Sequence, residues 1–146
     1  MKKICSRSGH KTYETPLLGK IGIQPGQQIL LVQAPDFILF LFRNGNIPVD
    51  VKAIGRKKYD LVWGFINKRD DLEARLPGLK TRLKSTGMIW ISWFKKSSKQ
   101  PTELTEDLIR DAALRNNLVD IKVASVDENW SALKLVIPLN KRDNTA

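Results

Sequence analysis

Leu72, Leu76, Leu79 and Leu83 recur at intervals of four, three and four residues, and the chain then runs into the apolar stretch GMIWISW, Gly87 to Trp93. The leucine spacing keeps one face of a 3.6-residue helix apolar. The apolar stretch reads as a strand that needs cover on both faces. A helix feeding a doubly covered strand belongs to a layered α/β domain, and the same alternation recurs along the chain. Ile29 to Val32 is an unbroken apolar run with a Pro25-Gly26 turn before it. YDLVWGFI (Tyr59 to Ile66) is a second such run, and VDVKAI (Val49 to Ile54) alternates as a strand does. Pro35 and Asp36 suit a helix start, so the run Phe37 to Phe42 reads as a buried helix ending at Asn44-Gly45. Thr15 and Pro16 start a short helix that Gly22 ends.

Two features qualify the later helices. Pro77 and Gly78 interrupt the leucine series, which predicts a kink or two abutting helices. TEDLIRDAALRNN carries Thr105 as its cap, with Glu106 and Asp107 against the positive end of the dipole. The last third, LVDIKVASVD and SALKLVIP, alternates across the short connection ENW and forms an antiparallel hairpin. Strands separated by helices give a mostly parallel sheet with right-handed crossovers. The expected fold is a three-layer Rossmann-like α/β domain with a C-terminal antiparallel hairpin. It spans residues 15–139, after a basic arm at 1–14 and before a tail at 140–146.

The composition fits one domain of 146 residues with a sizeable core. The longest apolar run falls far short of the roughly 20 residues a membrane span needs. The basic N-terminus has no apolar stretch behind it, so it does not read as a secretory signal. Cys5 is the only cysteine, so no internal disulfide forms, and a cytoplasmic setting is expected. The formal net charge of +10 points to anionic partners: nucleic acid, an acidic protein surface or a phosphorylated ligand.

The order of elements resembles the class I S-adenosylmethionine-dependent methyltransferases. YDLVWGFI resembles their central acidic-apolar strand. LEARLPGLKTRLKSTGMIWISW resembles their long helix, glycine turn and following strand, and the closing hairpin fits as well. The stretches TPLLGKIGIQPG, LEARLP, WFKKSSKQPTELTEDLIRDAAL and LVDIKVASVDENWSALKLVIP also resemble a family of small bacterial proteins known only as a domain of unknown function.

The methyltransferase resemblance implies a glycine-rich turn after the first strand and an acid at the end of the second. Glycine there lets the backbone approach the cofactor. Here the turn is Gln33-Ala34-Pro35-Asp36, and Ile54 is followed by Gly55, Arg56, Lys57 and Lys58. Lysine and arginine cannot accept from ribose hydroxyls. The expected protein is therefore a degenerate scaffold without the ordinary S-adenosylmethionine site, acting by binding. The rival reading is a methyltransferase with an altered pocket. His10 is the sole histidine and lies in the arm, which leaves neither a His/Cys metal set nor a serine triad.

Two constellations stand out as candidate sites. Trp93 closes the fourth strand and Lys95, Lys96, Ser97 and Lys99 follow it, at the sheet end where open α/β sheets bind ligands, and the group would attract a phosphate or carboxylate. Asp127, Trp130 and Lys134 form a polar-aromatic group on the hairpin that could anchor a partner; the alternative is a tryptophan covering the sheet edge. Trp63 and Trp90 read as core. Lys80, Arg82, Lys84, Lys95, Lys96 and Lys99 would form one cationic face for nucleic acid if folded together.

Overall fold

The computed structural model describes residues 16–141. The readings on Cys5, His10, Thr15 and the last five residues fall outside that range. In chain order the elements are α1 (Pro16–Ile21), β1 (Ile29–Val32), α2 (Asp36–Asn44), β2 (Tyr59–Phe65), α3 (Arg69–Thr81), β3 (Leu83–Phe94), α4 (Glu106–Arg115), β4 (Val119–Ser125) and β5 (Trp130–Val136). Single 3-10 turns follow at Lys96–Ser98, before α4, and at Leu139–Lys141, after β5.

The five strands form one sheet in the order β1-β2-β3-β5-β4. β1, β2 and β3 run parallel, and β5 lies antiparallel between β3 and β4. This is the mostly parallel sheet with an antiparallel terminal hairpin that the element pattern predicts. Alternation along the strands sorts the side chains into two cores. Leu61, Trp63 and Phe65 of β2 and Trp90 of β3 pack with Leu18 and Ile21 of α1 and Ile38 and Phe42 of α2. Val62 of β2 and Ile89, Ile91 and Trp93 of β3 pack with Leu72, Leu76 and Leu79 of α3 and Ile109 and Ala112 of α4. Helices therefore cover both faces, which is why the buried side chains of β2 and β3 are almost all apolar. Ser92 is the exception, and it is fully buried as acceptor for the indole N–H of Trp63 at 2.8 Å. Trp90 donates to the carbonyl of Ile21 at 2.8 Å and ties α1 to the sheet.

Four sequence expectations change. Val49 to Ile54 is not a strand: only Asp50 pairs, in a single parallel bridge to Leu30. The few residues between Asp50 and Tyr59 must return the chain to the amino end of the sheet. A turn at Gly55 (φ +48°) and the Arg82 guanidinium, 2.6 Å from the Gly55 carbonyl, hold them in that return path. Leu83, counted on the helix face by its spacing, instead begins β3 opposite Tyr59. α3 passes through Pro77 as one helix, not as two abutting ones. Trp130, assigned to the hairpin connection, is the first residue of β5 and pairs with Phe94.

Candidate functional site

The parallel strands β1 and β2 end side by side at Val32 and Phe65, and the turn Gln33–Pro35 leads from β1 into α2. Gln33 has φ +58°, a backbone conformation that glycine adopts without steric cost. Its side chain crosses the carboxyl ends of both strands. Nε2 donates to the Phe65 carbonyl at 3.0 Å and to Asp71 Oδ2 at 2.9 Å, while Oε1 accepts from Arg75 at 3.1 Å. Arg75 Nε closes the set on Asp71 Oδ1 at 2.8 Å. The turn is thus laced to β2 and to the first turns of α3 by its own side chain. Asp36, which with Pro35 suits a helix start, is the first residue of α2, and the cap position falls to Pro35.

The exit of β2 is bound to its neighbours as well. Asn67 Oδ1 accepts from the Phe94 N–H at 2.8 Å, and its carbonyl accepts from the Glu103 N–H at 2.7 Å. Glu103 Oε1 in turn accepts from the Arg69 N–H at 2.9 Å, at the start of α3. Gln33, Asn67 and Glu103 carry no local sequence signal, because each acts on partners about thirty or more residues away.

The loop after β3 does not gather its ammonium groups. Trp93 is buried, and with Lys96 it lines a hollow of about 450 Å³ whose other walls are Leu104, Thr105, Glu106 and Asp107. Thr105 Oγ1 accepts from the Leu108 N–H at 3.2 Å, capping α4 as expected. Arg110 binds both Glu106 and Asp107, and also Asp120 at 3.0 Å. Lys95 turns away and donates to Ser125 Oγ at 2.7 Å. Ser97 and Lys99 stay exposed, with Lys99 left-handed at φ +61°. The hollow therefore combines one cation with two carboxylates.

The hairpin constellation resolves into structure. Trp130 is buried, its ring 5.2 Å from Phe65 and 4.1 Å from Phe94, so it does not project as a partner anchor. Asp127 Oδ1 accepts from the N–H groups of Asn129 and Trp130, both at 2.8 Å, and fixes the turn. Lys134 is half-buried on the same strand face as Trp130. The proposed continuous cationic face also separates. Lys80, Arg82 and Lys84 lie at the start of β3, and Lys95, Lys96 and Lys99 beyond its end, a full strand length of roughly 35–40 Å away at about 3.3 Å per residue.

Asp50 sits outside this end of the sheet. It accepts from Lys57 Nζ at 2.8 Å and from the Tyr59 hydroxyl at 2.6 Å. Those two bonds, Lys57 first, hold its carboxyl below the usual carboxylate range. Burial and the bond to Asp50 push the Tyr59 phenol up. Among the described residues no group of three or more His, Cys, Asp or Glu side chains is placed to hold a metal ion, and no helix is long and apolar enough to cross a membrane.

The chain has the fold of the class I S-adenosylmethionine-dependent methyltransferases. It superposes on a ribosomal protein L11 methylase from Lactobacillus delbrueckii with a TM-score of 0.57, at 15% identity, over 83% of this chain and 74% of that one. Magnesium protoporphyrin IX methyltransferase from Synechocystis, solved with bound S-adenosylmethionine, gives a TM-score of 0.58 at 14% identity, over 84% of this chain and 74% of that one. The tRNA methyltransferase TrmK from B. subtilis gives 0.55 at 10% identity, over 86% and 67%. No protein-family model and no curated protein sequence matches the chain. The likeness to the domain-of-unknown-function family rests on the quoted stretches alone.

Proposed function

We propose that this protein is a binding domain on a methyltransferase-like scaffold, that its cofactor crevice is closed, and that its partner is anionic. The observation that carries the reading is the Gln33 side chain, bonded at once to Phe65, Asp71 and Arg75. In the methyltransferases that this chain resembles, the turn after the first strand is open glycine backbone. Here the position with glycine-like φ bears an amide that spans the strand ends, and Pro35 brings a ring and no N–H. A cofactor would have to break three hydrogen bonds to seat beside Ala34 and Pro35. The anionic partner is supported by the net charge of +10 and by exposed lysines such as Lys99 beyond β3, which has no carboxylate partner among the described residues.

Thermal denaturation with S-adenosylmethionine or its demethylated product at millimolar concentration tests the closed crevice. A ligand that binds only the native state at a hundred times its Kd stabilises by about 2.7 kcal/mol, a shift of several degrees. The expected result is no shift for either compound. A rise in Tm with either one overturns the reading and favours a methyltransferase with an altered pocket.

A further inference from the structure

We infer that the sheet face carrying Lys122 and Lys134, with Lys20 and Lys95 at its end, binds the phosphate backbone of nucleic acid without reading sequence. The inference names the anionic partner of the reading above and rests on it. Lys122 of β4 stands directly opposite Lys134 of β5. Both point to the α1 side of the sheet, since Lys134 alternates in phase with Ala132 and Trp130, which pack against that layer. Like charges opposite one another on neighbouring strands destabilise a sheet. An edge strand needs a lysine only on itself to discourage stray pairing. The second lysine, on the covered strand β5, has no such use.

Two more ammonium groups meet at the end of the same strand. Lys20 Nζ donates to the Ser125 carbonyl at 3.0 Å, and Lys95 Nζ donates to Ser125 Oγ at 2.7 Å. Both partners are neutral oxygens, and among the described residues no carboxylate is ion-paired to either ammonium group. Lys57, Lys84, Arg75, Arg110 and Arg115 are each paired with a carboxylate, while Arg56, Lys58 and Lys99 have no ion pair among the described residues and lie away from this face. Of the neighbouring acids, Asp120 of β4 is ion-paired with Arg110, and Asp127 and Glu128 lie at the hairpin tip. Asp127 holds the turn through two backbone N–H groups, and neither acid is ion-paired to any of the four lysines.

The form of the patch selects the ligand. The charges are spread along an open strand face for three residues or more, about 10 Å at 3.3 Å per residue, rather than turned into a hollow. That suits an anion whose charges repeat along a backbone. The tryptophans on this side of the sheet, Trp63, Trp90 and Trp130, are buried and offer no surface for base stacking. Contacts to phosphate alone fix position and leave sequence unread.

The test is fluorescence anisotropy with a random-sequence DNA duplex, begun at about 50 mM salt and repeated up to about 200 mM. Wild-type protein is expected to bind, with affinity falling steeply as salt rises. The double variant Lys122→Glu/Lys134→Glu should lose at least tenfold in affinity and reduce the salt slope by about two, one for each phosphate contact removed. Arg56→Glu/Lys58→Glu changes the net charge equally at the opposite end of the sheet and should stay within about twofold of wild type. Lys122→Glu alone should weaken binding while its Tm holds or rises, because it replaces a like pair by an opposite one. Equal losses in both double variants, or undiminished binding by Lys122→Glu, would overturn the assignment. No binding by wild type at the lowest salt would overturn it too. None of these outcomes touches the closed crevice, which stands or falls on the cofactor titration.

Discussion

Asp50 shows how one side chain holds a segment that the periodicity misreads. Its backbone bridges β1 through the Ile29 carbonyl and the Leu31 N–H, both at 2.9 Å, and its carboxylate collects Lys57 and Tyr59. Folding therefore favours the charged form, and its pKa is lowered. A lowered carboxyl contributes stability that is present above its unfolded value, about 3.9, and is lost as pH falls through the folded one. Asp50→Asn should thus be less stable than wild type at pH 7, by roughly 1 kcal/mol for the loss of a charged acceptor. The gap should hold down to about pH 5 and narrow below about pH 4. Urea midpoints of the two proteins at neutral and acid pH measure it, and a gap that ignores pH would assign the effect to shape rather than charge. Gln33 makes the same point at the other end of the sheet. The sequence predicts a turn without open backbone, but neither the positive φ nor the reach to Phe65 is written in its neighbours.

The elements were legible where a single period carries them. The leucine series predicts α3, the apolar runs predict β1, β2 and β3, and Thr105 predicts the start of α4, because burial on one face or both leaves a local pattern. Val49 to Ile54 alternates in the same way yet forms no strand, since pairing depends on a return path fixed by Arg82, far along the chain. Lys95 and Lys96 are adjacent in sequence, but Lys95 reaches Ser125 at the end of β4 while Lys96, the first residue of a 3-10 turn, joins Trp93 around the hollow before α4. Pro77 is a different case: the rule that proline breaks helices gives way to tertiary packing. Leu72, Leu76 and Leu79 are buried on both sides of it, and that burial outweighs a lost hydrogen bond and a ring clash. The cost should still be recoverable. Pro77 is exposed, so Pro77→Ala removes no core contact, and it should raise stability by about 1–3 kcal/mol. A higher urea midpoint with an unchanged denaturant slope is the expected signature; an unchanged or lower midpoint would mean that α3 has adapted to the proline.

Across the whole molecule, support for the sheet is uneven. Among the described residues, β2, β3 and β5 each have a strand on both sides, whereas β1 has β2 on one side and only the Asp50 bridge on the other. A return path of residues 51–58 lies where a longer connection would carry a helix across the sheet. It leaves a hollow of about 410 Å³ lined by Leu30, Val32, Val51, Ala74 and Leu79, among others, and Val51 is 61% exposed. Arg82 is the main tie on this path, with Nη1 on the Gly55 carbonyl at 2.6 Å and the Lys57 carbonyl at 3.3 Å. Regions with few buried contacts open at a free energy well below that of global unfolding. The amides of Leu31 and Asp50 should therefore exchange with solvent faster than those of Ile89 and Ile91 in the centre of β3. Arg82→Ala should raise exchange at Leu31 and Asp50 about tenfold or more, the effect of 1.4 kcal/mol, while exchange at Ile89 changes only with global stability. If Leu31 instead exchanges at the rate of Ile89 and follows it in the variant, the return path opens only with the whole domain, and Asp50 is as firm a neighbour for β1 as a full strand would be.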